Sequence, residues 1–344
     1  MRPPAGGGIA RPHADECADV SAGVGGGELG GVRAGVRGGG CWGCLGLTDP
    51  FMAAPHLPFT PALEQQLRAW LAEDIGRGDL TAPALAGAGG QAHWLARAEG
   101  VFCGGVLAAP LFRLLDATVE VRPLVADGQP VRPGQRLLSL AGPAAALVAG
   151  ERTALNLAMR LSGIATATAA LVARLQGSGV ALADTRKTTP GLRLLEKYAV
   201  RCGGGLNHRL GLDDAAMLKE NHLAWSGGVG PAVAAVRAAA PWPARVIVEA
   251  ETAAEAELAV RAGADAVLLD EFTAAQLLEL VPRLRALAAA RPAGAAGLVL
   301  EASGVQPAQL EAYAATGIDL ISTSAPITRS PWLDLSMRFE PGWT

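Results

Sequence analysis

The chain has 344 residues, of which 50% are hydrophobic, and a formal net charge of -3; its mean hydropathy is +0.27 and its pI about 6.0. That length suggests about two domains with room for a sizeable core. With no run of about 18 uninterrupted apolar residues and no basic tail, composition argues against a transmembrane helix and a general nucleic-acid binder.

Five cysteines, Cys17, Cys41, Cys44, Cys103 and Cys202, make an odd count. In a chain this long that is not a secreted disulfide framework, so a cytoplasmic protein is expected. Residues 1–51 hold 15 of the 44 glycines without helical or strand period. They read as a disordered extension, with Met52 a plausible true start. Cys41 and Cys44 have the CxxC spacing of a redox pair or half a zinc site. No second ligand pair accompanies them, so the spacing is read as chance.

From Thr60 to Ala72 the apolar positions Leu63, Leu67, Trp70 and Leu71 form a helical stripe. Glu73 to Thr81 reads as a helix stop and turn, made by Gly76 and Gly78. His93–Ala98, Gly100–Val106, Val119–Leu124 and Arg136–Ala141 read as strands, and Leu107–Leu115 as a short helix. Pro143–Ser162 reads as a long helix, with Ile164–Leu175 a second helix after Gly163. Arg152, Asn156 and Arg160 recur at four-residue spacing and so share a face. The first part is therefore a mixed α+β domain, spanning residues 52–162.

Beyond Gly179 strand and helix alternate. The strands are Val180–Ala183, Ala215–Lys219, Arg245–Ala250, Ala266–Asp270, Gly297–Glu301 and Leu320–Thr323. Pro231–Ala239, Ala253–Ala262, Ala274–Ala290 and Pro307–Ala315 are the helices between them. Repeated units of this kind imply a parallel sheet with right-handed crossovers. Six strands are too few for an eight-stranded barrel and fit an incomplete, open-sided α/β barrel over residues 163–324.

The strand ends carry the charge. Early strands end in cations: Arg186 and Lys187, then His208 and Arg209 after Gly203–Gly205, then Lys219. Middle strands end in carboxylates: Glu249, Glu251, Asp270 and Glu301. Ser303 and Ser322 follow. Parallel α/β folds place their sites on this rim. Arginines suit carboxylates gripped by two hydrogen bonds. Glu249 and Asp270 suit Mg²⁺ shared with substrate phosphates, and the positive charge of a breaking ribosyl C–O bond. Three other readings stay open. Lys187 or Lys219 can serve as a Schiff-base lysine, the barrel can bind phosphate without catalysis, and Gly203–Gly205 can be a plain turn.

The motifs TRKTTPGLR, EKYAVRCGGGLNHR and LKENH, at 185–193, 196–209 and 218–222, resemble the quinolinate phosphoribosyltransferase family. The resemblance covers roughly Met52 to Thr344. It implies an α/β fold, a six-stranded open barrel beside an N-terminal α+β sandwich domain, with residues 325–344 returning to that domain. It also implies transfer of a phosphoribosyl group from 5-phosphoribosyl-1-pyrophosphate to quinolinate. Nicotinate mononucleotide, pyrophosphate and CO₂ would result, with Mg²⁺ as cofactor. A related enzyme acting on nicotinate is the alternative. Arg152 would reach a neighbouring subunit's site in a homodimer or hexamer. Lys187, Glu249 and Asp270 would be catalytic. Arg152, Arg186, Lys187, His208, Arg209 and Lys219 would hold the substrate anions. Ser303, Gly304, Ser322 and Ser324 are candidates for the ribose 5-phosphate. Ile321–Thr328 lacks the glycine usual in the family, and Ala302 stands where a second serine is common.

Overall fold

The computed structural model describes residues 55–292 and 297–340. The expectations for residues 1–51, Cys41, Cys44 and Met52 lie outside them. The first helix, α1 (Pro61–Ile75), starts where Thr60 accepts the Leu63 N–H through its hydroxyl, and buries Leu63, Leu67 and Leu71. Strand β1 (Gly89–Ala96) alternates, with Ala92, Trp94 and Ala96 inside. Strand β2 (Gly100–Val101) is shorter than the expected Gly100–Val106. Gly104 takes a left-handed φ of 103° there and starts a tight turn into α2 (Ala108–Leu115). Buried Asp127 holds this turn by accepting the N–H groups of Gly104 and Gly105 at 2.8 and 2.9 Å. Strands β3 (Glu120–Pro123), β4 (Pro130–Val131) and β5 (Arg136–Pro143) follow.

Helix α3 (Ala144–Leu175) runs unbroken for 32 residues, so two helices parted at Gly163 are not formed. Gly163 is required by crowding: a Cβ there would meet the Pro331 carbonyl oxygen at 2.0 Å. By length and composition alone α3 can cross a membrane. In the structure it joins two cores, with Leu147, Leu155 and Leu161 in one and Leu175 in the other.

The second part begins with β6 (Ala181–Ala183), followed by α4 (Arg193–Cys202), β7 (Ala215–Leu218), α5 (Glu220–Trp225) and α6 (Val229–Ala239). Then come β8 (Arg245–Ala250), α7 (Ala253–Arg261), β9 (Ala266–Leu269), α8 (Ala274–Ala289), β10 (Val299–Ala302), α9 (Leu310–Ala314), β11 (Leu320–Ser322) and α10 (Ala325–Arg329). Capping boxes at Thr252 with Glu255 and Thr273 with Gln276 start α7 and α8. The six strands form one parallel sheet in the order β6-β11-β10-β9-β8-β7. Its edges, β6 and β7, share no ladder among the described residues, so the barrel is open. The last strand, β12 (Leu335–Phe339), pairs antiparallel with β1, giving a second sheet of order β12-β1-β5-β3.

Each barrel strand is apolar on both faces low down, as a covered parallel sheet requires. The outer face packs Val246, Val248, Val267, Leu269, Leu300 and Ile321 on the helices. The inner face holds a small plug of Ile247, Ala266 and Leu268, packed against Ala215, Met217 and Val299. Side chains two residues further along share that inner face.

Candidate active site

Strand register turns the inner face into levels. Leu218 is level with Val248, Glu249 with Leu268, Leu268 with Glu301 and Glu301 with Leu320. Lys219 is therefore beside Glu249, and the two side chains form an ion pair. One level up, Ala302 is matched with Leu269 and with Ile321, so Asp270, Ser303 and Ser322 become neighbours. Ser303 donates its hydroxyl to Asp270 Oδ1. The expected rim residues of β7 to β11 thus converge above the apolar plug.

The opposite wall comes from the chain between β6 and β7. Buried Asp184 organises it, taking Lys197 Nζ and the His208 N–H on Oδ1 and Asn207 Nδ2 on Oδ2. Burial raises the Asp184 carboxyl, against the opposing pull of Lys197, and lowers the Lys197 ammonium, against that of Asp184. Lys197 also donates to the His208 carbonyl at 2.9 Å. Arg209 then lies close enough to Arg186 for the two to repel. Burial first, and that repulsion second, lower its guanidinium pKa. The Thr185–Thr189 turn is fixed from below by Glu196. That fully buried carboxylate accepts the Thr189 N–H at 2.8 Å and pairs with Arg160. Lys187 stays exposed at the tip of this turn.

His208 is committed within the chain. Its Nε2 lies 3.2 Å from Glu301 Oε2, and its Nδ1 accepts the Arg209 N–H at 2.8 Å. Arg152 is exposed on α3 with no bond to the rim of its own chain among the described residues. Gly304 is exposed, Ser322 buried and Ser324 half-buried. Ser324 spends its carbonyl on Ile327 and Thr328.

The motif segment also carries Arg193, Lys197 and Arg201, and Lys197 is structural. Arg193 holds Thr188 and the Leu210 carbonyl, and Arg201 the Gly205 carbonyl. Sequence reasoning missed α4 and with it the supporting roles of Asp184, Glu196, Lys197 and Asn207. The signal was there in the charged residues spaced along EKYAVR, at Glu196, Lys197 and Arg201.

Glu249 and Asp270 fit a hard divalent cation, because both are oxygen donors on one face of adjacent strands. Burial and then repulsion from Glu220, Glu255, Asp270 and Glu249 raise the pKa of nearby Glu251. A cation held there would relieve that accumulated negative charge.

Two family models match the chain: the N-terminal domain of quinolinate phosphoribosyl transferase over residues 79–162, and its C-terminal domain over residues 164–338. A probable nicotinate-nucleotide pyrophosphorylase (carboxylating) from Synechocystis is 45% identical over 287 residues, covering 82% of this chain and 94% of the relative. The human nicotinate-nucleotide pyrophosphorylase (carboxylating) is 39% identical, covering 78% of this chain and 89% of the relative. The solved nicotinate-nucleotide pyrophosphorylase of Francisella tularensis superposes with a TM-score of 0.76 at 35% identity, covering 83% of this chain and 99% of that one. Two matched domains, a six-stranded open barrel and full-length relatives together assign the chain to the quinolinate phosphoribosyltransferase family.

Proposed function

We propose that the protein joins quinolinate to 5-phosphoribosyl-1-pyrophosphate, giving nicotinate mononucleotide, pyrophosphate and CO₂, a step of NAD biosynthesis. The observation that carries this reading is the split rim. Arg186, Lys187 and Arg209, on the wall between β6 and β7, stand with strand tips bearing Lys219, Glu249 and Asp270 above a floor of apolar side chains, and Arg209 is near enough to Glu249 to feel its charge.

Three tasks follow. The cations, with His208 and Arg152 of a neighbouring copy in a homodimer or larger assembly, neutralise and orient the diacid so that its ring nitrogen meets the ribosyl C1. The nitrogen forms its bond to C1 as the bond to pyrophosphate oxygen breaks. Lys187 neutralises charge on the reacting phosphates. Glu249 and Asp270 would hold Mg²⁺, which when bound offsets the charge gathering on pyrophosphate. Lys219 is the switchable partner here, able to leave Glu249 for a substrate anion. Finally the C–CO₂ bond breaks beside the alkylated nitrogen. Its electron pair stays on the ring carbon, which then takes a proton. The cationic ring itself accepts the charge. Ser303, Gly304, Ser322 and Ser324 are the residues for the 5-phosphate. Residues 52–162 with 325–344 make one domain and 163–324 the other, and the protein works in the cytoplasm.

The test is an assay with quinolinate, the ribosyl donor and Mg²⁺ that follows CO₂ release, with nicotinate run beside it. Turnover of nicotinate without quinolinate turnover defeats the substrate assignment. Borohydride trapping of substrate on Lys187 or Lys219 would instead favour a Schiff-base enzyme.

A further inference from the structure

Glu301 is a buried rim carboxylate with no assigned task. It points into the barrel from β10, level with Leu268 and Leu320, and is 1% exposed. Its Oε2 meets His208 Nε2 at 3.2 Å. Its Oε1 is buried and has no hydrogen-bond partner among the described residues. A buried carboxylate oxygen left unmet costs stability, so packing alone does not account for a glutamate here. The residue therefore works for the site.

The work is legible in the imidazole. A backbone N–H can only donate, and the Arg209 N–H lies 2.8 Å from His208 Nδ1. Nδ1 is therefore an acceptor without a proton. The ring proton sits on Nε2, where it is donated to Glu301. Turning the ring over would set C–H groups against both partners. The main chain of His208 is equally fixed, its N–H on Asp184 and its carbonyl on Lys197. Only the imidazole then remains to be set, and through Nδ1 it sets the Arg209 peptide.

We propose that Glu301 is a positioning residue: from inside the barrel it holds His208 as the neutral Nε2–H tautomer, and so fixes the His208–Arg209 peptide and the Arg209 guanidinium against the substrate anion. This rests on the reaction proposed above. It also changes the part given to His208, which contributes shape and a fixed neighbour rather than positive charge. Carboxylates that orient an imidazole elsewhere act in the same way.

The experiment combines histidine ¹⁵N NMR on the ligand-free protein with steady-state kinetics on E301A, E301Q and the volume-filling E301L. An H208N sample identifies the signal among the five histidines. Wild type should show the proton on Nε2. E301A and E301L should show mixed tautomers, and KM for quinolinate about 10- to 100-fold higher with a much smaller change in kcat, the range for groups that orient a binding residue. E301Q keeps an acceptor oxygen and should recover most of the loss. E301L keeps the packing, so a folding failure of E301A alone does not decide the matter. A wild-type proton on Nδ1, unchanged tautomer and KM in E301L, or E301Q as impaired as E301L would each overturn the proposal. The NMR needs no substrate. Absence of quinolinate turnover in wild type would defeat the reaction, while the tautomers would still decide Glu301.

Discussion

Asp184 Oδ1 accepts the backbone N–H of His208 at 2.8 Å, so the end of β6 dictates where Arg209 can be. The same carboxylate pairs with Lys197, and both side chains are 1% exposed. D184N keeps the shape and removes the charge. It leaves Lys197 buried without its counter-ion, which costs about 3–5 kcal/mol. Chemical denaturation should show that loss, and KM for quinolinate should rise. Adding K197M to D184N should return part of the stability, because the stranded charge is gone.

Glu249 and Asp270 carry the metal prediction. E249Q and D270N each should lower kcat by about 100-fold or more, the scale for groups that stabilise a leaving anion. Calorimetry of pyrophosphate with Mg²⁺ should show weaker binding in both. EDTA should reversibly abolish wild-type turnover. Unchanged pyrophosphate binding in both variants would remove them from the metal site.

Arg152 makes a prediction about assembly. R152A and R209A proteins should each be nearly inactive alone. Random mixing puts half the protein into hybrid dimers with one intact site of two, so about a quarter of wild-type activity should return if sites are shared between copies. Subunit exchange followed by assay reads this directly, and no recovery argues for a site built within one chain.

Gly163 tests the unbroken helix. A Cβ at this position would meet the Pro331 carbonyl oxygen at 2.0 Å, and that oxygen is backbone. G163A should destabilise by about 1–3 kcal/mol, despite alanine's better helix propensity. A raised Tm would mean the Pro331 segment yields.

His93 gives a pH dependence. Burial first, and Arg136 next, lower its pKa below 6.5. A histidine whose folded pKa is depressed binds its proton less well when folded. The cost is absent above pH 6.5, grows as pH falls through the folded pKa, and is complete below it. Wild type should therefore lose stability on acidification through that window, and H93Q should lose less. Melting curves between pH 7 and pH 5 decide it.

What the sequence made legible follows the range of each signal. The six barrel strands were readable because each is a short apolar run ended by a charged or hydroxyl residue. Their sorting by sign survives as the Lys219–Glu249 pair and the Asp270–Ser303 contact. The expected break at Gly163 failed because a glycine that admits a neighbouring backbone looks like one that ends a helix. Lys197 stands in the cation-rich motif EKYAVRCGGGLNHR, where a buried charge and an exposed one are spelled alike. Only the distance from Lys197 to Asp184, set by tertiary packing, tells them apart. Asp184 itself had no local pattern, since its three side-chain partners, Lys197, Asn207 and His208, come from two later stretches of chain.

The pairing of β12 with β1 bears on the order of events during synthesis. The edge of β1 stays unmated until Leu335–Phe339 has been made, after every barrel strand, and for that interval Ala92 to Ala96 offers a sticky, half-apolar border to other nascent chains. Release of a product truncated just before Leu335 should therefore yield aggregates rather than a trimmed enzyme, although every barrel strand would be complete.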